Sequence, residues 1–587
     1  MKEVFLSTLG KRVDLIPGVH LARNYERKDL GRDLLAGVVL ATMLVPQGMA
    51  YAELTGLPPV TGLYTTVAAL LAYSVFGPNR VLVLGPDSSL APIIAVIILP
   101  LAAGDPMTAV VLASALSLIT GVICIGAGYA RAGVLTELLS KPVRVGYLNG
   151  IAIVVFVSQL PKALGFSVDG DSTLDVFIAT VTAVVNGEVV AAAALTAAIS
   201  LIIIQGMRYI RPGSPGILVA TVASIAMVAL FNLAVDTVGS LPQGLPSLTF
   251  PSVGLDVLGT LTAGAFAVAL VSFADTGALS TATALQSGRR VNHNSEIKAL
   301  GVANLLSGLF QGFPTSASSS RTAVAMSVGS RTQFTGVLAA IGVMSLLIWA
   351  PDLLANLPSA TLAAIVISAS FVLFDARTLV WLWKVRRSEF LLALGGFLGV
   401  ALVGILEGIV IAILLSLANF VRRAWRPHST ELVRVEGMKG YHDRERHPEG
   451  WTIPGLLIVR FEAPLFFANA PTFGRRLQGF IVNADRPIER VLVAGDAITD
   501  IDTTGAEILT DVLDDLDRRE LKFAFAGLKG PIKDRLRSYG LYERIGDQGF
   551  FPTIGSAVKD HYSTRGEEPH EDIDPTDSPN HDAPGSV

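Results

Sequence analysis

The residue pattern predicts an α-helical polytopic membrane protein followed by a small soluble α/β domain, and three observations carry that reading. Of 587 residues, 51% are hydrophobic and only 16% are charged, whereas soluble domains carry roughly 25% charged residues. Apolar segments follow one another almost without a break from Asp33 to about Trp425, and about 20 such residues cross a bilayer as a helix. After Pro427 the composition turns polar, and strand-like runs begin to alternate with helical ones.

The same composition excludes an ordinary soluble enzyme, and it excludes disorder, which needs low hydrophobicity and high charge. The single cysteine, Cys124, lies in an apolar run, so neither a disulfide framework nor a cysteine-based zinc site is expected. The net charge is −4, but residues 561–587 hold seven acidic residues and one basic one. The rest of the chain is close to neutral and carries no nucleic-acid footprint.

Residues 1–32 are polar, contain seven Lys or Arg, and lack the layout of a signal peptide. Between 33 and 427 we read fourteen membrane segments, centred near 43, 67, 92, 118, 152, 198, 224, 268, 304, 322, 342, 364, 396 and 414. They divide into two halves of seven, about 33–235 and 255–425. Charge tests the count, because Lys and Arg gather in cytoplasmic loops. With the N-terminus inside, the inner loops hold Arg80, Arg131, Lys141, Arg144, Arg208, Arg211, Arg289, Arg290, Lys298, Arg331, Arg377, Lys384, Arg386 and Arg387. The outer loops hold Glu53, Asp105, Asp169, Asp171, Asp175, Asp236, Asp256, Asp352 and Glu407, with Lys162 the exception. An even count puts both termini in the cytoplasm. Residues 428–450 read as a polar linker. Residues 451–562 read as an α/β domain with strands at 456–461, 490–495 and 522–527 and helices near 470–481, 504–518 and 530–540. The acidic tail, 563–587, reads as disordered.

Two interrupted segments point to a site. The third runs RVLVLGPDSSLAPIIAVIILP: a β-branched run meets Gly85-Pro86, and Asp87, Ser88 and Ser89 supply helix-capping chemistry. The tenth runs LFQGFPTSASSSRTAVAMSV: an extended stretch ends at Pro314, followed by Thr315, Ser316, Ser318, Ser319, Ser320 and Arg321. Each is third in its half. Matching broken segments in two halves mark a transporter site built from inverted repeats, and an odd number of spans per half forces the inversion. Facing half-helix N-termini present free N–H groups and positive dipole ends, which suit an anion. A membrane-embedded Arg321 needs a partner, and an anionic substrate is one; Asp87 or Asp275 is another. Asp275 is a lone carboxylate deep in segment eight. It suits a proton relay, or, with Thr276, Ser280 and backbone carbonyls, a Na⁺ site. No cofactor is expected beyond a co-transported H⁺ or Na⁺.

The stretch from Asp33 to Ile93, with PQGMAYAELTGLPPVTGLY and LGPDSSLAPI at its heart, resembles the opening signature of the sulfate permease (SulP) family of anion transporters. GFPTSASSSRTAV (312–324) resembles that family's tenth helix, and the C-terminal domain resembles a STAS domain. The resemblance implies seven plus seven inverted helices split into core and gate, a homodimer, and an elevator-like movement of the core. It implies a substrate site between helices three and ten, with Gln47, Tyr51, Asp87, Ser88, Ser320 and Arg321 lining it and neighbouring Ser319 in the same cluster. It implies that Asp275 is the coupling carboxylate. Sodium-coupled bicarbonate members place a hydroxyl one turn after that carboxylate. Leu279 stands there in this chain, with Ser280 next, which favours protons over Na⁺ while Thr276 keeps Na⁺ open. In the STAS-like part, AGDAITDIDTTGAEILTDVL resembles the strand–loop–helix that carries a phosphorylatable residue in antagonist proteins. Thr503 and Thr504 are the candidates here, with helix capping the rival reading and a regulatory protein the partner implied.

Three functions compete: transport of an inorganic oxyanion, sulfate first and bicarbonate second; transport of a nucleobase or dicarboxylate on the same architecture; and a membrane-tethered signalling scaffold. Arg321 and the serine cluster favour an anion over a neutral ring. No nucleotide loop, zinc spacing or nucleophile–base motif supports an enzyme.

Overall fold

A computed structural model gives the structure of the chain and describes residues 17, 18, 23 and 25–567, apart from 133–139, 171, 211–213 and 287–290. Arg211, Arg289, Arg290, Asp171, residues 1–16, 19–22 and 24 of the N-terminal segment and the tail beyond 567 lie outside the described residues. The chain divides into two units, before and after residue 416.

The first unit is helical: α1 (Leu30–Leu54), α2 (Pro59–Phe76), β1 (Leu84–Gly85), α3 (Ala91–Ala102), α4 (Pro106–Tyr129), α5 (Lys141–Leu164), α6 (Thr173–Val185), α7 (Ala191–Ile210), α8 (Gly216–Phe231), α9 (Leu255–Gln286), α10 (His293–Leu309), β2 (Ser316–Ala317), α11 (Ser319–Ser327), α12 (Phe334–Trp349), α13 (Ser359–Leu373), α14 (Ala376–Val385), α15 (Arg387–Leu398) and α16 (Ile405–Trp425). Among the described residues, eight helices are long and apolar enough to cross a membrane, and shorter apolar ones join them. Every expected segment centre falls in a helix. Two further helices, α6 and α14, lie in stretches read as loops.

Packing repeats between the halves. If each segment is exchanged with the one seven places on, the pair α1–α12 becomes α9–α4, α2–α12 becomes α10–α4, and α5–α15 becomes α13–α7; all six pairs pack. The two missed helices obey the same exchange, since α6 follows α5 and α14 follows α13. Close approach depends on small residues, as membrane helices cannot rely on hydrophobic exclusion to associate. A Cβ on Gly62 of α2 would collide with the Gly48 carbonyl oxygen of α1. Lys162, the exception among the outer charges, has its ammonium 3.9 Å from the Glu53 carboxylate and donates to the Glu53 carbonyl at 3.4 Å.

The second unit holds a six-stranded sheet in the order β4-β3-β5-β6-β7-β8. Its strands are β3 (Ser429–Val433), β4 (His442–Asp443), β5 (Gly455–Phe461), β6 (Ile488–Ala494), β7 (Lys522–Ala526) and β8 (Phe550–Phe551). The run from β5 to β8 is parallel, and the helices α17 (Ala470–Val482), α18 (Thr503–Arg518), α19 (Gly530–Ser538), α20 (Leu541–Ile545) and α21 (Ile554–Arg565) complete the unit. The expected strands and helices all form. The stretch 428–450 is not a plain linker. β3 pairs antiparallel with β5, and two of its polar side chains find partners in the stretch that follows: Thr430 Oγ1 donates to Asp443 at 2.7 Å and Arg444 pairs with Glu431 at 2.7 Å. Polar composition therefore concealed a strand. α21 likewise runs past 562, into the stretch read as tail.

Candidate anion-binding site

The two broken segments meet. β1 and β2 pair antiparallel, Leu84 with Ala317 and Gly85 with Ser316, and Ser318 N–H donates to the Val83 carbonyl at 3.1 Å. Short helices leave this two-stranded ribbon on either side, α3 of 12 residues and α11 of 9. Irregular backbone at membrane depth is tolerated only where protein or a cavity satisfies it, and here side chains do so. Asn304 Oδ1 accepts from Thr315 N–H at 2.9 Å, Thr65 Oγ1 accepts from Phe313 N–H at 3.0 Å, and Ser307 donates to the Phe313 carbonyl at 2.7 Å. Gln333 Nε2 donates to the carbonyls of Asn79 and Leu82 at 2.8 and 2.9 Å. Sequence reasoning missed these four supports. For Thr65, Asn304 and Ser307 the only signal is a polar residue inside an apolar run, and Gln333 lies in a polar turn.

A cavity of about 510 Å³ lies beside the ribbon, lined by Gln47, Tyr51, Asp87, Ser88, Asp275, Ser319 and Ser320 together with Ser89 and Ser318. On the other side it is bounded by α5, α7, α8 and α13, and it reaches Arg144 and Arg208. Arg321 sits behind this lining, 1% exposed. Its Nη2 lies 3.5 Å from Asp87 Oδ1, and a Cβ on Gly85 would stand 2.8 Å from its Nη1. Glycine at 85 is what lets the guanidinium lie against the ribbon. Among the described residues, Nε, Nη1 and Nη2 of Arg321 and Oε1 of Gln47 have no hydrogen-bond partner, although buried polar groups are nearly always paired.

Asp87 does not cap α3. The residue before the helix is Leu90, without a side-chain cap bond. Asp87 Oδ2 instead accepts from Ser89 N–H at 3.1 Å and from Ser89 Oγ at 2.7 Å, in a turn that leads into the helix. Ser89 Oγ also lies 2.9 Å from Asp275 Oδ2. Arg321 thus pairs with Asp87, and Ser89 joins the two carboxylates. Thr276 is buried, and its hydroxyl has no hydrogen-bond partner among the described residues. Ser280 is not beside Asp275. It donates to Glu296 Oε1, while Tyr73 donates to Oε2 at 2.6 Å. Leu279, not a hydroxyl residue, lines the cavity one turn after Asp275. In the second unit, Asp502 caps α18 by accepting from Gly505 N–H at 2.7 Å, leaving Thr503 exposed and Thr504 half-buried.

Two interrupted segments that meet in a ribbon beside a cavity, in a polytopic helical chain, are the arrangement of a membrane transporter. The chain belongs to the sulfate permease family: that family's profile matches residues 30–396, and the STAS domain profile matches 448–557. A probable sulfate transporter of Mycobacterium tuberculosis is 38% identical over 549 residues, 92% of this chain and 97% of the relative. Solute carrier family 26 member 6 of Homo sapiens is 33% identical over 488 residues, 78% of this chain and 64% of the relative. The murine Slc26a9 anion transporter, solved in the inward-facing state, shares the fold with a TM-score of 0.85 at 20% identity, covering 94% of each chain. The transmembrane domain of the cyanobacterial bicarbonate transporter BicA aligns with a TM-score of 0.58 at 24% identity, over 67% of this chain and 98% of that one.

Proposed function

We propose that the protein is a secondary active transporter of an inorganic oxyanion, sulfate first, driven by protons through an elevator-like movement of the ribbon-bearing helices. One observation carries the anion: the buried Arg321 guanidinium, with one carboxylate neighbour and no hydrogen-bond acceptor among the described residues, stands where two half-helices begin. An oxyanion offers the acceptors that a guanidinium fork fits. The sulfate transporter names among the relatives support sulfate over bicarbonate.

Hydrogen-bond arithmetic supports the proton. Ser89 Oγ is within bonding distance of both Asp87 and Asp275, yet a hydroxyl has one proton to give. One proton on either carboxyl completes both contacts. The Na⁺ reading is weaker, because Ser280 is engaged with Glu296 and Leu279 faces the cavity. Arg144 and Arg208, assigned by charge to the cytoplasmic side, line the same cavity, which supports an inward-open form with both termini in the cytoplasm of the cell membrane. A homodimer and a regulatory partner at the STAS domain complete the reading, with Thr503 as the accessible phosphorylation candidate.

The test is radiolabelled uptake into proteoliposomes, with sulfate and bicarbonate in parallel, under an inward proton gradient, an inward Na⁺ gradient and neither. Proton-driven sulfate uptake, lost in D275N and R321A, is expected. Na⁺-driven bicarbonate uptake overturns the assignment, and absence of both from folded protein moves the substrate to a dicarboxylate or the function to signalling.

A further inference from the structure

We propose that the coupling proton leaves Asp275 by its own route, along a buried hydroxyl stripe on α9 to Glu296, and enters a second cavity separate from the one the anion uses. The inference rests on the proton-coupled reading above. Ser272, Thr276 and Ser280 recur at every fourth residue of α9 and so share one face. They are 0, 1 and 1% exposed, and the hydroxyls of Ser272 and Thr276 have no partner among the described residues. Successive members stand about 6 Å apart along the axis at 1.5 Å per residue, so the proton's passage between them needs one water to enter as the helices move. Asp275, the neighbour of Thr276, faces the anion cavity; Ser280 bonds Glu296 on the other side of the helix.

Glu296 is a second buried carboxylate, 3% exposed, without an ion pair within 4 Å among the described residues. It borders a cavity of about 810 Å³ that contains Ser280 but neither Asp275 nor Arg321. The charged groups facing that cavity are Glu26, Lys28, Asp29, Arg32, Arg80 and Arg331, and Tyr73 of α2 faces Glu296 from within. In the step proposed, the O–H bond of protonated Asp275 breaks and the bridging waters and hydroxyls each pass one proton on. An O–H bond forms on Glu296, and Glu296 returns to carboxylate by giving its proton to water in the second cavity. Nothing is oxidised or reduced.

A purely structural Glu296 would act as a clasp, with its charge favoured in the first turn of α10. Two readouts in proteoliposomes separate the roles: sulfate counterflow at equal pH, which needs no net proton movement, and sulfate accumulation driven by a pH gradient. E296Q is expected to keep counterflow within about twofold and to lose driven accumulation by at least about tenfold, the scale of removing a proton-carrying group. Wild-type accumulation by E296Q overturns the proposal. If E296Q also loses counterflow, Y73F decides, because it keeps Glu296 and removes one hydroxyl that orients it. Driven accumulation reduced about threefold with counterflow intact supports the path, since a misplaced proton acceptor is a poorer one; accumulation equal to wild type sinks it. Wild-type protein that ignores a pH gradient, or follows a Na⁺ gradient, removes the proton-coupled reading itself and this route with it.

Discussion

Arg321 and Gly85 form one unit at the scale of single residues. The guanidinium occupies the space a side chain at 85 would take, so Gly85→Ala is expected to displace it without removing it. We expect about tenfold weaker sulfate binding, or about 1.4 kcal/mol, read as the sulfate concentration that raises the melting temperature of the purified protein. Unchanged affinity would show that the position of Arg321 is not critical. Arg321→Ala is harsher, because it strands Asp87; breaking a buried pair costs about 3–5 kcal/mol. Arg321→Lys keeps the charge and loses the fork.

Among the elements, β3 and β4 show how polar residues can build a strand. Burial raises the Asp443 pKa, but bonds from Thr430, His428 and the Glu445 amide outweigh it and hold the carboxyl at about 2, against an ordinary 3.8. A depressed carboxylate contributes stability that is full above its unfolded value and is lost as pH falls through the folded one. Hydrogen-exchange protection at β3 and β4, in the full-length protein and corrected for the intrinsic exchange rate at each pH, should therefore be constant above about pH 4 and fall between about 4 and about 2. Asp443→Asn should flatten that dependence, and an unchanged acid slope would assign it elsewhere.

The whole molecule carries its orientation in its charges. Lys162, the one misplaced cation, is matched by Glu53, so the asymmetry is cleaner than the sequence shows. The single cysteine permits a direct test in a Cys124→Ala background. An impermeant maleimide should label Asp169→Cys in intact cells and Lys384→Cys only after permeabilisation; the reverse pattern overturns the topology. Both positions are exposed. α6 and α14 each follow the fifth of the seven segments read in their half.

The positions of the apolar segments, the paired interruptions at Gly85-Pro86 and Pro314, and the alternating strands of the second domain were legible along the chain, because each is a local pattern of polarity or of backbone-breaking residues. α6 and α14 were not, because short helices that expose many of their apolar side chains read like loop. β3 was hidden because its polar groups find partners only when Asp443 and Arg444 fold back onto it. The antiparallel ribbon, the pairing of Arg321 with Asp87 rather than Asp275, the diversion of Ser280 to Glu296, and the supports Asn304, Ser307, Thr65 and Gln333 were decided by tertiary structure alone. The sequence names the groups that cannot stay unpaired in a membrane; several of the pairings, Tyr73 with Glu296 and Thr65 with Phe313 among them, join residues more than 200 positions apart, and no local pattern contains that distance.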